Sequence, residues 1–268
     1  MRLLRYFSVI LLVFCLLVSC ETVPITGRSQ LSLVSDGQMN AMSLDYYKDF
    51  LSKNKLSKNQ AQTQQVKNVG ARIANAVTRF LTQHGQAERV AGYKWEFNLV
   101  ESNEMNAWCL PGGKVVVYTG ILPITKDEAG LAVVMGHEIA HAVAEHGKER
   151  MSQGLLTQMG GVALSVALSQ QPAATSALFM QAYGIGAQVG VLLPYSRLHE
   201  SEADRLGLIF MSMANYDPNA AVSFWQRMAQ TKKGSSPPEF LSTHPADQTR
   251  INNIKSYIPE ALSYRNRR

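Results

Sequence analysis

The 268-residue chain is 46% apolar and 17% charged, enough hydrophobic material for a sizeable core in one domain and too much for intrinsic disorder. Its formal charge of +6 falls to +4 once Arg2 and Arg5, in a segment expected to be removed, leave 24 of the 26 basic residues against 20 acidic ones. The basic residues form no run and are not interleaved with aromatics, so a nucleic-acid surface finds no support, and three cysteines, two of them near the N-terminus, exclude a disulfide scaffold.

Residues 1–19 read as an export signal. Arg2 and Arg5 precede an apolar run from Phe7 to Val18, broken only by Ser8. Leu17-Val18-Ser19-Cys20 then resembles the bacterial lipoprotein cleavage box. That resemblance implies cleavage before Cys20, diacylglycerol on its sulfur and acylation of its amine, a two-signal anchor. The alternative is an uncleaved membrane helix, but Glu21 and the polar stretch after it suit a tether better than a stop-transfer flank. The expected organisation is a signal peptide over 1–19, a tether over 20–36 and a single domain over 37–268. The body then faces an extracytoplasmic compartment of a bacterial envelope, with the periplasmic side of the outer membrane as the expected place.

From Asp36 to about Leu81 the pattern is helical. Met39, Met42, Tyr46 and Phe50 are spaced by three and four, and Val66, Val69, Ile73, Val77 and Leu81 repeat the spacing. Residues 93–100 alternate and predict a strand. Met105–Leu110 and Lys114–Thr119 are extended runs around Pro111-Gly112-Gly113, a hairpin signal. Asp127 to Arg150 predicts one long helix, with Asp127 and Glu128 suited to its first turn. Residues 151–193 are rich in Gly, Ala, Ser, Gln and Met. Ser176 to Leu193 has the length of a membrane span, but Gln181 and Gln188 are polar and Gly184, Gly186 and Gly190 weaken the helix. Packed helices or a cover over a cleft are the favoured reading there. Helices follow over 197–213 and 218–230, then a loop over 232–239 and a last helix from His244-Pro245 through Ile254. These elements give an α+β fold, mostly helical, with a small sheet.

The chemistry concentrates in Gly136-His137-Glu138-Ile139-Ala140-His141. Histidines at i and i+4 project from one helix face, so their ring nitrogens can converge on one ion. Glu138 can reach a water on that ion without ligating it, as in the zinc-peptidase helix motif. The surrounding Leu131, Val133, Val134, Met135, Ile139 and Val143 bury the helix, and a metal removes the cost of burying unpartnered histidines there. A catalytic zinc needs a third protein ligand and an open position. The metzincin extension would require Gly at 144 and His at 147; this chain has Ala144 and Gly147. His146 is off that register and reads as a helix-surface residue or a partner behind the ligands. The best source of a third ligand is Ser196–Asp204. Glu200 and Asp204 share a helix face; Glu200 can ligate, and Asp204 can accept the free ring N–H of a zinc histidine. Glu202 points elsewhere and reads as part of a solvated acidic helix start. Cys109 reads as a buried core thiol.

HEIAH followed 59 residues later by Glu200 in SRLHESEAD resembles the HtpX, Oma and CAAX-prenyl-protease group of zinc metallopeptidases, peptidase family M48, with the exported lipoprotein members most similar. NAWCLPGGKVVVYTGIL and HPADQTR are also similar to that family, and the likeness runs over about residues 65–255. It implies a minigluzincin-type fold with the small sheet packed beside the zinc helix. It implies one Zn2+ held by His137, His141 and Glu200, with Glu138 as catalytic acid/base and Asp204 behind the ligands. His244 and Arg250 match family positions near the cleft that gate the metal or stabilise the oxyanion. The extended run Met105–Leu110 or Lys114–Thr119 offers an edge to which substrate adds as a strand, with Asn106 and Ala107 as contacts. Backbone pairing of that kind predicts loose sequence preference and unfolded polypeptide substrates. The expected function is a membrane-anchored zinc metalloendopeptidase in envelope protein quality control. A non-cleaving lipoprotein chaperone using the same groove is the alternative; it has no need of Glu138.

Overall fold

The computed structural model describes residues 20–24, 26–159, 178, 182, 196–231 and 238–265. The expected signal peptide, and the stretch 151–193 beyond residue 159 apart from Leu178 and Ala182, lie outside the described residues. Strands β1 (Cys20–Thr22) and β2 (Ser29–Leu31) pair antiparallel into a ribbon. Helices α1 (Asp36–Lys53), α2 (Gln60–Gln83) and the single turn α3 (Glu88–Ala91) follow. A three-stranded sheet holds β3 (Glu96–Val100), β4 (Ala107–Leu110) and β5 (Lys114–Tyr118). The short α4 (Leu122–Thr125) leads into α5 (Glu128–Val143) and α6 (His146–Met159). Beyond residue 195 come α7 (Arg197–Met213), α8 (Ala220–Gln230), α9 (Glu239–Thr243) and α10 (Gln248–Ser263). The fold is α+β and mostly helical, with the small sheet lying beside α5.

Local sequence accounts for most of these boundaries. Ser35 and Gln38 form a reciprocal capping box at the start of α1, worth about 1 kcal/mol. The helical pattern expected over 36–81 is interrupted at Asn54. There Lys55 O accepts from Glu101 N and Ser57 N donates to Leu99 O, both at 2.8 Å, so the segment between α1 and α2 takes the extended form that pairs with the end of β3. Val66, Val69, Ile73, Val77, Phe80 and Leu81 of α2 are fully buried, the stripe that the spacing predicts.

In the sheet, β5 is central, parallel to β3 and antiparallel to β4. Val115, Val116 and Val117 of β5 are fully buried, as a strand covered on both faces and both sides requires. This corrects one expectation: Lys114–Thr119 offers no free edge, because both sides of β5 are hydrogen-bonded. The turn before it is the expected hairpin, with Gly112 and Gly113 at φ +80° and +79°, a conformation that glycine adopts without strain.

The helix expected to run unbroken from 127 to 150 divides. Asp127 caps its start by accepting from Gly130 N at 2.8 Å. After Val143 the chain turns at Glu145, a non-glycine residue at φ 58°, and α6 begins at His146. No Gly or Pro marks this break. Glu145 is tied there by Arg89 at 3.2 Å and Lys148 at 3.3 Å, which offsets the roughly 1–2 kcal/mol cost of the left-handed backbone.

Helices α5 and α7 pack at their glycines. A Cβ on Gly207 would meet His137 N at 2.9 Å, and one on Gly136 would meet Gly207 O at 3.0 Å. The two backbones therefore approach more closely than side chains would allow, which brings the start of α7 to the His137 face of α5.

Residues 20–36, expected as a tether, are laid onto the body. Val23, Gln30 and Val34 are buried, and Leu33 N donates to Ser152 Oγ of α6 at 3.0 Å. Their apolar residues find core neighbours in both hydrophobic clusters of the domain. At the other end, the last helix begins at Gln248, later than expected, because Asp247 caps it by accepting from Arg250 N at 2.7 Å. His244 is thereby left in the extended connection after α9, at φ −125°. Among the described residues, no helix is long and apolar enough to cross a membrane.

Candidate active site

Helix α5 supplies His137, Glu138 and His141, all buried, and α7 supplies Glu200 and Asp204, also buried. His137 Nε2 lies 3.0 Å from His141 Nε2 and 3.5 Å from Glu200 Oε2, and His141 Nε2 lies 3.3 Å from Glu200 Oε1. His244 Nδ1 closes the group, 3.2 Å from His137 Nε2 and 2.8 Å from Glu200 Oε1. Ligand atoms of these four residues all lie within 4.8 Å of one another.

These residues fit a zinc ion. Ligands about 2.0–2.1 Å from a tetrahedral ion stand roughly 3.3 Å apart, the spacing seen here. Two imidazole nitrogens facing each other at 3.0 Å need a cation or a proton between them. Among the described residues, Glu138 Oε1 is buried and accepts no hydrogen bond; it faces His244 Nε2 at 3.4 Å. The donor set of nitrogens and one carboxylate is the borderline-hard set that zinc takes.

Behind the cluster, Asp204 Oδ1 lies 3.0 Å from His137 Nδ1. Arg250 grips Asp204 in a two-pronged contact, Nε to Oδ2 and Nη2 to Oδ1, both at 2.8 Å. The same guanidinium stands 2.6 Å from Glu200 Oε2 and lies flat over the Trp225 ring at 3.5 Å. Arg250 therefore bridges the two carboxylates, and its Nη2 lies 3.4 Å from His137 Nδ1.

Charge follows from these contacts. Burial pushes the Glu138 carboxyl up, and the nearby cations only partly offset it. Burial also opposes ionisation of Glu200, but His244, Arg250 and His137 hold it well below the usual carboxylate range. Asp204 is lowered in the same way, chiefly by Arg250. Burial disfavours charge on both α5 histidines. Glu200 and Asp204 overcome it at His137, raised to about 9, whereas His141 stays well below its ordinary value. One proton for two facing rings is the arrangement that a divalent cation would replace.

Asn106 and Ala107 sit at the start of β4, the edge strand on the α5 side. Asn106 Oδ1 accepts from Ala107 N at 2.8 Å, and Asn106 O accepts from Tyr118 N at 3.1 Å, so both groups serve the strand itself. Phe240 N donates to Met105 O at 3.3 Å, which hangs the segment carrying His244 beside the β4 edge. Cys20 opens β1. Cys109 is a buried free thiol.

A second buried cluster was not foreseen. His146, read as a surface residue or a partner behind the ligands, is fully buried with Nδ1 2.9 Å from His141 Nδ1. On an unbroken helix the two would be about 140° apart; the turn at Glu145 brings them together. Glu202, read as solvated, is also buried and lies 3.1 Å from His146 Nε2. Glu149 accepts from His199 Nε2 at 2.9 Å, and the two imidazoles stack with centroids 4.5 Å apart. Arg28 bridges Glu149 and Glu202. The available signal was a pair of His-x-x-Glu spacings, His146/Glu149 and His199/Glu202, on helices that already held site residues.

The sequence profile of peptidase family M48 matches residues 60–258. The chain is 35% identical over 245 residues to the mitochondrial metalloendopeptidase OMA1 of Schizosaccharomyces pombe, covering 90% of this chain and 67% of that protein. It is 32% identical over 253 residues to the mitochondrial metalloendopeptidase OMA1 of Homo sapiens, covering 91% and 47%. It is 27% identical over 243 residues to the beta-barrel assembly-enhancing protease of Escherichia coli K12, covering 89% and 47%. The chain thus spans two thirds of the fission-yeast relative and about half of the other two.

Proposed function

The chain belongs to peptidase family M48, a family of zinc metallopeptidases, and from that premise we propose that it is a lipid-anchored metalloendopeptidase that hydrolyses unfolded or misassembled polypeptides of a bacterial envelope. The observation that carries the reading is the convergence of His137, His141 and Glu200 at ligand spacing, with the orphaned carboxylate of Glu138 beside them. His137, His141 and Glu200 are the residues that would hold zinc, and His244, whose Nδ1 lies against His137 Nε2 and Glu200 Oε1, is a protein group that would yield to admit substrate.

When bound, zinc supplies Lewis acidity, bringing the pKa of a coordinated water to about 7 and polarising the scissile carbonyl. The chain's own groups do the rest. Glu138, its carboxyl raised by burial toward the working range of a general base, takes the proton of the attacking water and delivers it to the departing amine. Asp204 accepts the Nδ1 proton of His137 and keeps its Nε2 turned into the site. Arg250 holds Asp204 and Glu200 in register. The β4 edge is the place for an extended substrate, the central β5 being closed to it. An interaction of that kind reads backbone, which suits unfolded substrates. The names of the relatives, two mitochondrial metalloendopeptidases and a β-barrel assembly-enhancing protease, support proteolysis. Lipidation of Cys20 rests on Leu17-Val18-Ser19-Cys20.

The test is cleavage of unfolded casein by the wild type, by Glu138→Gln and by chelated protein. Cleavage by the wild type alone is expected. Cleavage that survives both treatments disproves the zinc mechanism, and zinc-loaded wild type that only binds casein would favour the chaperone alternative.

A further inference from the structure

The two α5 histidines are braced in different ways. His137 has a carboxylate directly behind it, Asp204, held by Arg250. His141 has none. Its Nδ1 faces His146 Nδ1 at 2.9 Å, His146 Nε2 faces Glu202 Oε2 at 3.1 Å, and Glu202 meets Arg28. We propose that Arg28, on the ribbon turn outside the catalytic motif, is a positioning residue for His141. It holds Glu202 as the acceptor that fixes the direction of the His146–His141 hydrogen-bond chain. The inference rests on the zinc reading of the site.

Donor and acceptor roles leave one consistent assignment. For His141 Nε2 to offer a lone pair to a metal, its proton must sit on Nδ1, and that N–H must be donated. His146 Nδ1 is the atom placed to accept it, so His146 must carry its own proton on Nε2. Glu202 Oε2 is the acceptor for that second N–H. A carboxylate can only accept, so the direction of the chain is set once Glu202 is held in place. Arg28 does the holding. Its Nε lies 3.0 Å from Glu202 Oε1, its Nη2 lies 3.0 Å from Glu202 Oε2, and Thr26 Oγ1 donates to Glu202 Oε1 at 2.8 Å. The same fork reaches Glu149, Nη1 to Oε1 at 2.9 Å and Nη2 to Oε2 at 2.8 Å. One planar guanidinium thus locks the carboxylates of α6 and α7 against each other, a geometry that a lysine ammonium cannot reproduce.

The ribbon turn is shaped to deliver this side chain. Gly27, at φ 63°, lets the chain fold back so that Val23 N donates to Arg28 O at 2.8 Å, while Val23 is anchored in the core. The segment between the proposed lipid site and the domain is therefore part of the metal site's support.

Zinc affinity of the full chain, read by competition with a chromophoric chelator, tests this, with the visible spectrum of the cobalt-substituted protein as a second readout. The variants are Arg28→Ala, Arg28→Lys and, as a control, Arg205→Ala, which removes the partly exposed pair with Glu260. We expect Arg28→Ala to weaken zinc roughly 10- to 100-fold and to shift the cobalt bands, with Arg28→Lys intermediate and the control unchanged. Should Arg28→Ala fail to fold, Arg28→Lys decides alone. Wild-type affinity and spectrum in the folded Arg28 variants, or an equal loss in the control, overturn the proposal. If the wild type takes up no zinc, the reading of the site itself fails and the proposal falls with it.

Discussion

Glu138 and Asp204 are buried in the same cluster, yet their carboxyls move in opposite directions. Glu138 has an oxygen that accepts no hydrogen bond and is raised by burial; Asp204 is gripped by Arg250 and His137 and is lowered. Environments that push two carboxylates apart suit the two roles proposed for them, a proton carrier and a fixed brace. Substitution separates them. Glu138→Gln should keep zinc and lose about 10²–10⁴-fold in turnover, read by stoichiometric metal content beside casein cleavage. Asp204→Asn should instead weaken zinc about 10–100-fold, read by chelator competition. Both groups were legible in the sequence, Glu138 from its place beside the first histidine of HEIAH and Asp204 because i and i+4 positions share a helix face with Glu200. Glu149, His199 and Glu202 were not, and His146 was legible only as one of two readings. Each pair sits three apart on its own helix, but the partners are exchanged between helices, His146 with Glu202 and His199 with Glu149. No spacing along one helix encodes which face of another it will meet.

The zinc helix and α7 owe their separation to Gly136 and Gly207. Gly207→Ala would place a methyl 2.9 Å from His137 N, on backbone that cannot swing aside. The helices must then part, at a cost of about 1–3 kcal/mol. A lower urea midpoint with unchanged slope, together with weaker zinc binding as Glu200 moves away from the histidines, is the expected outcome. Most elements could be read from apolar spacing and caps, including the hairpin at Gly112-Gly113 and the helix over 197–213. The departures have physical causes. The break at Glu145 has no glycine or proline to announce it, being held by Arg89 and Lys148, which are distant or unremarkable in sequence. The ribbon of residues 20–31 is too short to stand out as strands, and its partner is the folded body.

Across the whole molecule, two groups of buried residues contribute stability that is lost on acidification, each in its own window. Burial lowers His146 to about 4, with Glu202 only partly compensating. Its folded value lies below its unfolded one, so the unfolded chain takes up the proton first. The stability is present above pH 6.5 and is lost as pH falls toward 4. Burial raises Glu149 and Glu202, but hydrogen bonds from His199 to Glu149, from His146 to Glu202 and from Arg28 to both outweigh it and leave each at about 2. Their contribution is present above pH 4.5 and is lost as pH falls through about 2. From pH 7 to 4 the loss at His146 is opposed by Glu145, whose carboxyl is raised to about 8, chiefly by burial. Calorimetry of chelated protein should show a melting temperature that declines below about pH 4. Zinc should raise it at neutral pH, since only the folded chain presents the assembled ligands. A melting temperature that does not fall further below pH 4 would contradict the buried ion pairs of Glu149 and Glu202. β1 begins at Cys20 itself and is already paired, residue for residue, with β2. A lipid on that residue would enter the bilayer with no leash behind it, so the cleft would stand at a set height and face a set way. Such an enzyme could not forage; it would act on what rises to its station, and a Gly/Ser insert after Cys20 should lengthen its grasp.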